Sequence, residues 1–199
     1  MNAEDQPIKI VGAKTLSNDW HVLKKYTFDF HRRNGEWQRQ NREVYDTGSG
    51  ATVLLYNREC RTVILTRQFR LPAYLDGLAD GMLIETPAGM LENEMPDDRI
   101  RDEIEEETGY CVNQVTKAFE AYMSPGSVKE RLFFFIAEYH PDKRKDAGGG
   151  VESEGEDIEV LELPFDKACE MMEKGEIMDA KTIMLLQYAA LRLFHRWDK

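Results

Sequence analysis

The segment Gly89–Tyr110 reads GMLENEMPDDRIRDEIEEETGY, and one part of it is unusually acidic. Five of the six residues from 102 to 107 carry a carboxylate, and no Lys or Arg lies among them. Like charges three or four residues apart on a helix repel each other by roughly 0.2–0.5 kcal/mol per pair. The cluster therefore predicts a bound cation that prefers oxygen ligands, such as Mg2+ or Mn2+.

Local signals predict a helix that begins near Pro96 and ends at Gly109. Proline suits the first helical turn because its missing N–H would have no partner there, and glycine is a common helix stop. Ile100 and Ile104 form a narrow apolar stripe for the core. At roughly 100° per residue, three carboxylates fall within an arc of about 100° and can converge on one small volume. These three are Glu103, Glu106 and Glu107.

A strand and a turn precede this helix. Met82–Ile84 is apolar, and residues 85–89 read ETPAG, which is typical of a turn. Such a turn can present backbone carbonyl and amide groups to a metal ion or a phosphate. Ala88, Gly89 and Met90 are therefore candidate ligand-binding residues. The alternative is a charged amphipathic helix that binds no ligand.

The segment resembles the signature of the Nudix hydrolases, G-x5-E-x7-R-E-U-x-E-E-x-G-U, in which U is aliphatic or aromatic. The second half matches in register at Glu103, Ile104, Glu106, Glu107, Gly109 and Tyr110. The first half is one residue shorter, with Asp102 at the arginine position and Glu94 or Met95 in place of the early glutamate. In the family, that arginine and glutamate are thought to brace the loop against the helix. The difference from the signature therefore affects the residues that brace the loop, and the metal ligands match. Arg99 and Arg101 lie close in sequence to the position of the missing arginine.

The resemblance extends over most of the chain and points to one subgroup, the GDP-mannose pyrophosphatases. It is carried by the segments REVYD (42–46), RQFR (67–70), YMSPG (122–126), FFIAEY (134–139), AGGGVE (147–152) and DIEVLELPF (157–165). Several of these also occur in the ADP-ribose pyrophosphatases. The resemblance implies Mg2+-dependent hydrolysis of the pyrophosphate bond of a nucleoside diphosphate sugar. GDP-mannose would yield GMP and mannose 1-phosphate, and an ADP sugar is the alternative.

The resemblance also implies a set of metal ligands and acids. The ligands would be the Ala88 carbonyl and the side chains of Glu103, Glu106, Glu107 and Glu156. Glu156 would be a further ligand or the base that activates water, carried by a glycine-rich loop that acts as a mobile lid. Glu152 and Glu154 are alternatives for this role. Glu130 is a further catalytic and substrate-binding candidate, and which acid takes the proton stays open.

Further residues are candidates for substrate binding. Arg70 could bind a phosphate bidentately through its guanidinium group, and the alternative is a surface salt bridge. The resemblance implies that Trp20 stacks on the base, and its alternative is a half-buried strand residue. It also implies that Asn41, Arg42 and Glu43 reach the base or sugar from the other subunit of a homodimer, and Lys181 from the last helix. A carboxylate such as Glu43 can accept from guanine N1–H and its exocyclic amine, a pattern that adenine does not offer.

Charge and composition exclude several other classes. The net charge of −11 argues against nucleic acid as a partner, because backbone binding needs a basic face. No apolar stretch approaches a membrane span, and the N-terminus lacks the features of a signal peptide, so we expect no membrane association. Cys60, Cys111 and Cys169 are widely spaced, which indicates reduced thiols and a cytoplasmic location. A non-catalytic nucleotide-sugar binding module stays an alternative. A Ca2+-binding or scaffold protein is disfavoured because the sequence has no EF-hand spacing.

The order of predicted elements indicates an α/β fold. Residues 1–47 predict a small antiparallel β unit, in which Asn34-Gly35 marks a hairpin turn. Residues 48–199 predict an α/β/α sandwich around a mixed sheet. Its predicted elements are strands at 51–56, 62–66, 114–121 and 130–139, a glycine-rich loop at 141–157, and helices at 165–174 and 180–197. The β unit is too small to be stable alone, and the resemblance implies that it pairs across a homodimer.

Overall fold

A computed structural model describes residues 6–196, and of Glu154 it describes the backbone alone. Contacts between Cα atoms divide this part of the chain into two units. The small unit comprises residues 6–49 and 122–131, and the large unit comprises residues 50–121 and 132–196. Along the chain, residues 50–121 of the large unit therefore follow the first part of the small unit. Residues 122–131 belong to the small unit again, and the chain then continues in the large unit.

The small unit is a four-stranded sheet with the order β1-β2-β3-β9. Its strands are β1 (Ile8–Asn18), β2 (Val22–His31), β3 (Trp37–Asp46) and β9 (Val128–Lys129). The first three strands are antiparallel, and β9 adds in parallel to β3. β2 and β3 form the hairpin predicted at Asn34-Gly35, where Gly35 has φ 86°. This positive φ is accessible to glycine at little cost.

The large unit contains a seven-stranded sheet. Its main path is β11-β5-β4-β10-β8, while β6 pairs with β5 and β7 pairs with β4. The strands are β4 (Gly50–Asn57), β5 (Thr62–Phe69), β6 (Met82–Glu85), β7 (Ala88–Met90), β8 (Thr116–Tyr122), β10 (Arg131–Glu138) and β11 (Glu159–Pro164). β4 runs parallel to β10 and antiparallel to β5, so the sheet is mixed, as predicted.

Helices cover both faces of this sheet. They are α1 (Leu71–Leu75), α2 (Pro96–Thr108), α3 (Phe165–Glu173) and α4 (Ala180–Arg192). Val53 and Leu55 of β4 share a buried cluster with Ile104 of α2. The next residue of β4, Tyr56, faces the other way and packs against Phe194, just beyond α4. Because successive strand residues face opposite sides, α2 and α4 lie on opposite faces, and the predicted α/β/α sandwich is confirmed.

The predicted bounds of α2 are confirmed. The helix begins at Pro96, and Gly109 ends it in the left-handed conformation with φ 72°. Ile100 and Ile104 are fully buried, as the apolar stripe predicts. The last helix is shorter than predicted, since α4 ends at Arg192, and Trp197 lies outside the described residues. No helix within residues 6–196 is long and apolar enough to cross a membrane.

Candidate active site

The acidic face of α2 lies against the turn that follows β6. Glu103 and Glu107 are buried, whereas Glu106, on the same arc, is exposed. A Cβ atom placed on Gly89 would lie 1.6 Å from Oε1 of Glu103. Only glycine at this position allows the carboxylate to approach the backbone of β7 so closely. The structure therefore places Glu103 beside the ETPAG turn, and the convergence of Glu103, Glu106 and Glu107 on one metal ion stays a prediction.

The carboxylate of Glu107 is buried beside this turn. Its Oε2 atom is buried and, within the described residues, has no hydrogen-bond partner. Burial raises the pKa of Glu107 well above its usual value, and the nearby charges of Glu103 and Glu156 raise it further. Arg70 and Lys181 act in the opposite direction. A buried carboxylate without a partner is costly, and a cation beside it would remove that cost.

These residues fit a hard divalent cation in their chemistry. The donors are carboxylate oxygens, which Mg2+ prefers, and one of them has no hydrogen-bond partner among residues 6–196. Their present positions are not those of a closed ligand shell. Within residues 6–196, no group of three or more His, Cys, Asp or Glu side chains is arranged to hold a metal ion.

Arg99 lies among these acids. Its Nη2 atom contacts Oε1 of Glu103, and its Nη1 atom lies 3.6 Å from Oε2 of Glu106. Its Nε atom donates to the carbonyl of Met90 at 3.2 Å. The sequence indicated an arginine near the motif but gave no indication of which acids it would contact. Asp102, which stands at the signature's arginine position, is exposed.

The glycine-rich loop caps the C-terminal end of α2. Gly149 N donates to the carbonyl of Glu107 at 3.0 Å, and Gly150 N donates to that of Glu106 at 3.1 Å. Lys145 N donates to the carbonyl of Gly109 at 2.7 Å. These bonds satisfy helix carbonyls that otherwise lack partners. These bonds tie residues 145, 149 and 150 to the end of α2, and the mobile lid over this loop stays a prediction.

Glu156 lies beside this cap. Its Oε2 accepts a hydrogen bond from Val151 N at 2.8 Å, and a Cβ on Gly150 would lie 2.5 Å from the same oxygen. Its charge contributes to the raised pKa of Glu107. Glu152, the alternative to Glu156, is exposed on a short 3-10 turn. The backbone of Glu154 lies in the same turn.

The side chains of Arg70 and Lys181 both contact the buried carboxylate of Glu85. Nε and Nη2 of Arg70 donate to the two carboxylate oxygens of Glu85 at 2.8 and 3.0 Å. Nζ of Lys181 contacts Oε2 of Glu85 at 2.5 Å and Oδ1 of Asp179 at 3.0 Å. Burial alone would raise the pKa of Glu85, but the charges of Lys181 and Arg70 outweigh burial and lower it. Arg70 and Lys181, predicted separately, are thus brought together.

Sequence reasoning missed the roles of Glu85 and Asp179. Glu85 ends an apolar strand, and an acid in that position needs a buried cation. This signal could have identified the need for a partner but not the partners themselves, which lie 15 and 96 residues away. Asp179 caps α4 by accepting from Thr182 N, and this N-cap pattern is readable from the sequence.

The remaining candidates lie in the small unit, on different faces of its sheet. Arg42 pairs with Tyr26 across the strands, while its neighbour Asn41 pairs with Thr27 and accepts a 2.7 Å hydrogen bond from the Thr27 hydroxyl. Because side chains alternate along a strand, Asn41 and Glu43 share one face and Arg42 lies on the other. The structure therefore does not bring these three side chains together.

Arg42 lines a cavity of about 720 Å³ in the small unit. Tyr26, Phe28, Tyr122 and Lys129 are also in its wall. Trp20 lies outside this wall; it is 89% exposed and stacks on His21 with ring centroids 5.5 Å apart. Glu130 follows β9 in the same unit and is half-buried. A cavity of this size is in the usual range for small-molecule sites.

Comparisons with known proteins agree with this architecture. Residues 7–45 match the family described as the GDP-mannose pyrophosphatase NudK N-terminal domain. A GDP-mannose pyrophosphatase from Pectobacterium atrosepticum is 59% identical over 186 residues, which cover 94% of this chain and 95% of that protein. One from Salmonella typhimurium is 55% identical over 193 residues, which cover 97% and 99%.

A solved structure shares the fold. The crystal structure of an ADP compounds hydrolase aligns with a TM-score of 0.73 at 15% identity, covering 98% of each chain. At this identity the likeness shows the fold alone. The family is shown by the curated relatives, which are far more similar and match over nearly the whole chain. The chain belongs to the GDP-mannose pyrophosphatase group of the Nudix hydrolases.

Proposed function

We propose that this protein hydrolyses the pyrophosphate bond of a nucleoside diphosphate sugar with Mg2+, and that GDP-mannose is its substrate. The products would be GMP and mannose 1-phosphate. One observation carries the chemistry: the buried Oε2 of Glu107 has no hydrogen-bond partner in the part of the chain that the structure describes, and it would accept a cation. The names of the relatives at 55–59% identity support the choice of substrate.

Each acid of the site has a proposed role. The Ala88 carbonyl and the side chains of Glu103, Glu106, Glu107 and Glu156 would hold Mg2+, with Mn2+ as a substitute. Bound there, the metal would screen the diphosphate charge and lower the pKa of a coordinated water. Glu156 is the proposed base for that water because it adjoins Glu107 on the capping loop, and Glu130 is the second candidate.

The substrate would be held by cations and by the small unit. Arg70 and Lys181 would bind phosphate oxygens, with Glu85 and Asp179 fixing their side chains. The backbone of Gly89 and Met90 would line the same region. Trp20 would stack on the base, and in a proposed homodimer Asn41, Arg42 and Glu43 would contact the base or sugar in the partner's site. Three free thiols fit a cytoplasmic enzyme.

The metal role of Glu107 has a direct test. Glu107→Gln removes one ligand charge with little change in shape, so we expect kcat with Mg2+ and GDP-mannose to fall by about 100-fold or more. Glu105→Gln is the matched control, since Glu105 pairs outward with Lys145 on the same helix. Turnover of Glu107→Gln within about threefold of wild type would show that the metal mechanism is wrong.

The substrate assignment is tested by a panel. The protein with Mg2+ is incubated with GDP-mannose, GDP-glucose, ADP-ribose and NADH, and the products are separated by chromatography. We expect the highest kcat/KM for GDP-mannose. A preference for ADP-ribose above about tenfold, or roughly 1.4 kcal/mol, would replace the proposed substrate. Binding without hydrolysis of any compound would favour a non-catalytic nucleotide-sugar module.

A further inference from the structure

Arg99 has an unusual set of partners for a residue in the first turns of a helix. Its guanidinium group contacts Glu103 and lies 3.6 Å from Glu106, while its Nε atom is bonded to the Met90 carbonyl. The side chain is only 20% exposed. The charges of Glu92 and Glu94 in the preceding loop also act on it. One arginine therefore joins two acids of α2 to the strand β7.

The next arginine on the helix behaves differently. Arg101 contacts Asp98 at 2.5 Å and Asp97 at 4.0 Å, both in the first turn of α2. Neither of these acids belongs to the proposed metal site. The two arginines thus differ in their partners while sharing the helix, the charge and the kind of contact.

We propose that Arg99 is the internal counter-cation of the acidic site, holding Glu103 and Glu106 in the metal-free protein and competing with a divalent cation for them. Arg99 is a positioning residue, and this inference rests on the metal site proposed above. It also explains how α2 tolerates Asp102 at the signature's arginine position. A positive charge three residues earlier neutralises the acids and ties the helix to β7.

The competition follows from linkage. An interaction that stabilises only the metal-free state must weaken metal binding by the same free energy. The guanidinium gains most from Glu103 and Glu106 when no other cation neutralises them, and a divalent ion nearby would repel it. The geometry agrees, because Arg99 contacts Glu103 and lies 3.6 Å from Glu106, and both acids are proposed ligands.

The proposal predicts opposite effects on stability and metal affinity. In Arg99→Gln, we expect the metal-free protein to melt several degrees lower, because the acids lose their counter-charge. We also expect Mg2+ to bind roughly tenfold tighter, since a positive charge on two of its proposed ligands is removed. A purely structural role would lower stability without tightening Mg2+ binding.

The measurements need no turnover. Melting is followed in EDTA, and MgCl2 is titrated by calorimetry into the metal-free full-length protein. Arg101→Gln is the matched control, and we expect its Mg2+ affinity to stay within about twofold of wild type. Arg99→Lys retains the charge, so its affinity should also stay close to wild type. Arg99→Met fills a similar volume without charge and provides a second neutral variant should Arg99→Gln fold poorly.

Two failures can be told apart. If Glu107→Gln leaves the Mg2+ affinity of the protein unchanged, the metal site itself is misplaced and the proposed function fails with it. If Mg2+ binding depends on Glu107 but both neutral variants at Arg99 bind Mg2+ with unchanged or weaker affinity, the counter-cation role is overturned and the metal site stands. Tighter binding in either neutral variant supports the role.

Discussion

At the scale of single residues, the large unit places acids and cations in two different arrangements. Glu85 is buried and has two cationic partners, whereas the buried Oε2 of Glu107 has none among residues 6–196. The pKa shifts follow this difference, being downward for Glu85 and upward for Glu107. The first acid is therefore a fixed structural charge that orients Arg70 and Lys181, and the second is free to take a ligand.

We predict that Glu85→Gln destabilises the protein by about 2–3 kcal/mol at pH 7, because Lys181 and Arg70 lose the charge between them. The figure lies below that of a fully buried pair, since the side chain of Arg70 is 41% exposed. The lowered pKa means that Glu85 contributes stability above its usual value of 4.5 and loses this contribution as the pH falls through the lower folded-state pKa. The stability gap between the two proteins should therefore narrow in acid.

Urea unfolding of both proteins at pH 7 and at several values below 4.5 measures this gap. Glu120→Gln is the control, because Glu120 contacts Lys117 at an exposed position and such pairs contribute less than about 1 kcal/mol. A Glu85→Gln variant no less stable than Glu120→Gln, or a gap that widens in acid, would contradict the role given to Glu85.

At the scale of elements, helix α2 was predictable and its cap was not. Pro96, the isoleucine spacing and Gly109 are local signals, and they gave both ends of the helix. The partners of its last carbonyls are Gly149 and Gly150, more than 40 residues further along the chain. Three consecutive glycines indicate backbone freedom in a sequence. Only the folded chain shows that they allow close approach to a helix end.

We predict that Gly148→Ala is destabilising by about 2–3 kcal/mol. Gly148 has φ 65°, and a Cβ there would lie 2.5 Å from the carbonyl oxygen of Glu107. Gly155→Ala is a matched control, because Gly155 has φ 78° but no atom within 4 Å of an added Cβ. Both variants carry the cost of a positive φ, about 1 kcal/mol, and only the first adds the clash.

Thermal or urea unfolding of the two variants isolates the contact with α2. Gly148→Ala should also lose activity, because displacement of the Glu107 backbone moves a proposed metal ligand. Equal stability of the two variants would mean that the loop does not cap the helix in solution.

At the scale of the whole molecule, the sequence predicted the fold class of each unit. It did not predict every segment that belongs to each unit. The sandwich follows from apolar strands and helix signals, and the hairpin follows from Asn34-Gly35. The return of residues 122–131 to the small unit, where β9 pairs with β3, depends on a contact between distant segments. Strand alternation could have separated Arg42 from Asn41 and Glu43, because it needs only the sequence.

The small unit exposes apolar side chains on its sheet. Ile8 and Ile10 of β1 are 42% and 62% exposed, and both line the cavity with Tyr26, Phe28 and Val44. Contiguous exposed apolar residues usually mark an interaction surface. A second copy of the chain is the proposed partner, since the same unit carries the residues proposed to complete a neighbour's site.

We predict that Ile10→Asp converts the proposed dimer into a monomer at micromolar concentration, because a charge buried in an apolar interface has no partner. Activity should fall with it, since Arg42 and Glu43 would no longer reach a partner's site. Leu191→Asp is the control, as Leu191 is 58% exposed on α4 of the large unit, and its molar mass should match wild type. Light scattering after size-exclusion chromatography measures all three proteins. A monomeric wild type, or a fully active monomeric Ile10→Asp variant, would show that each site is complete within one chain.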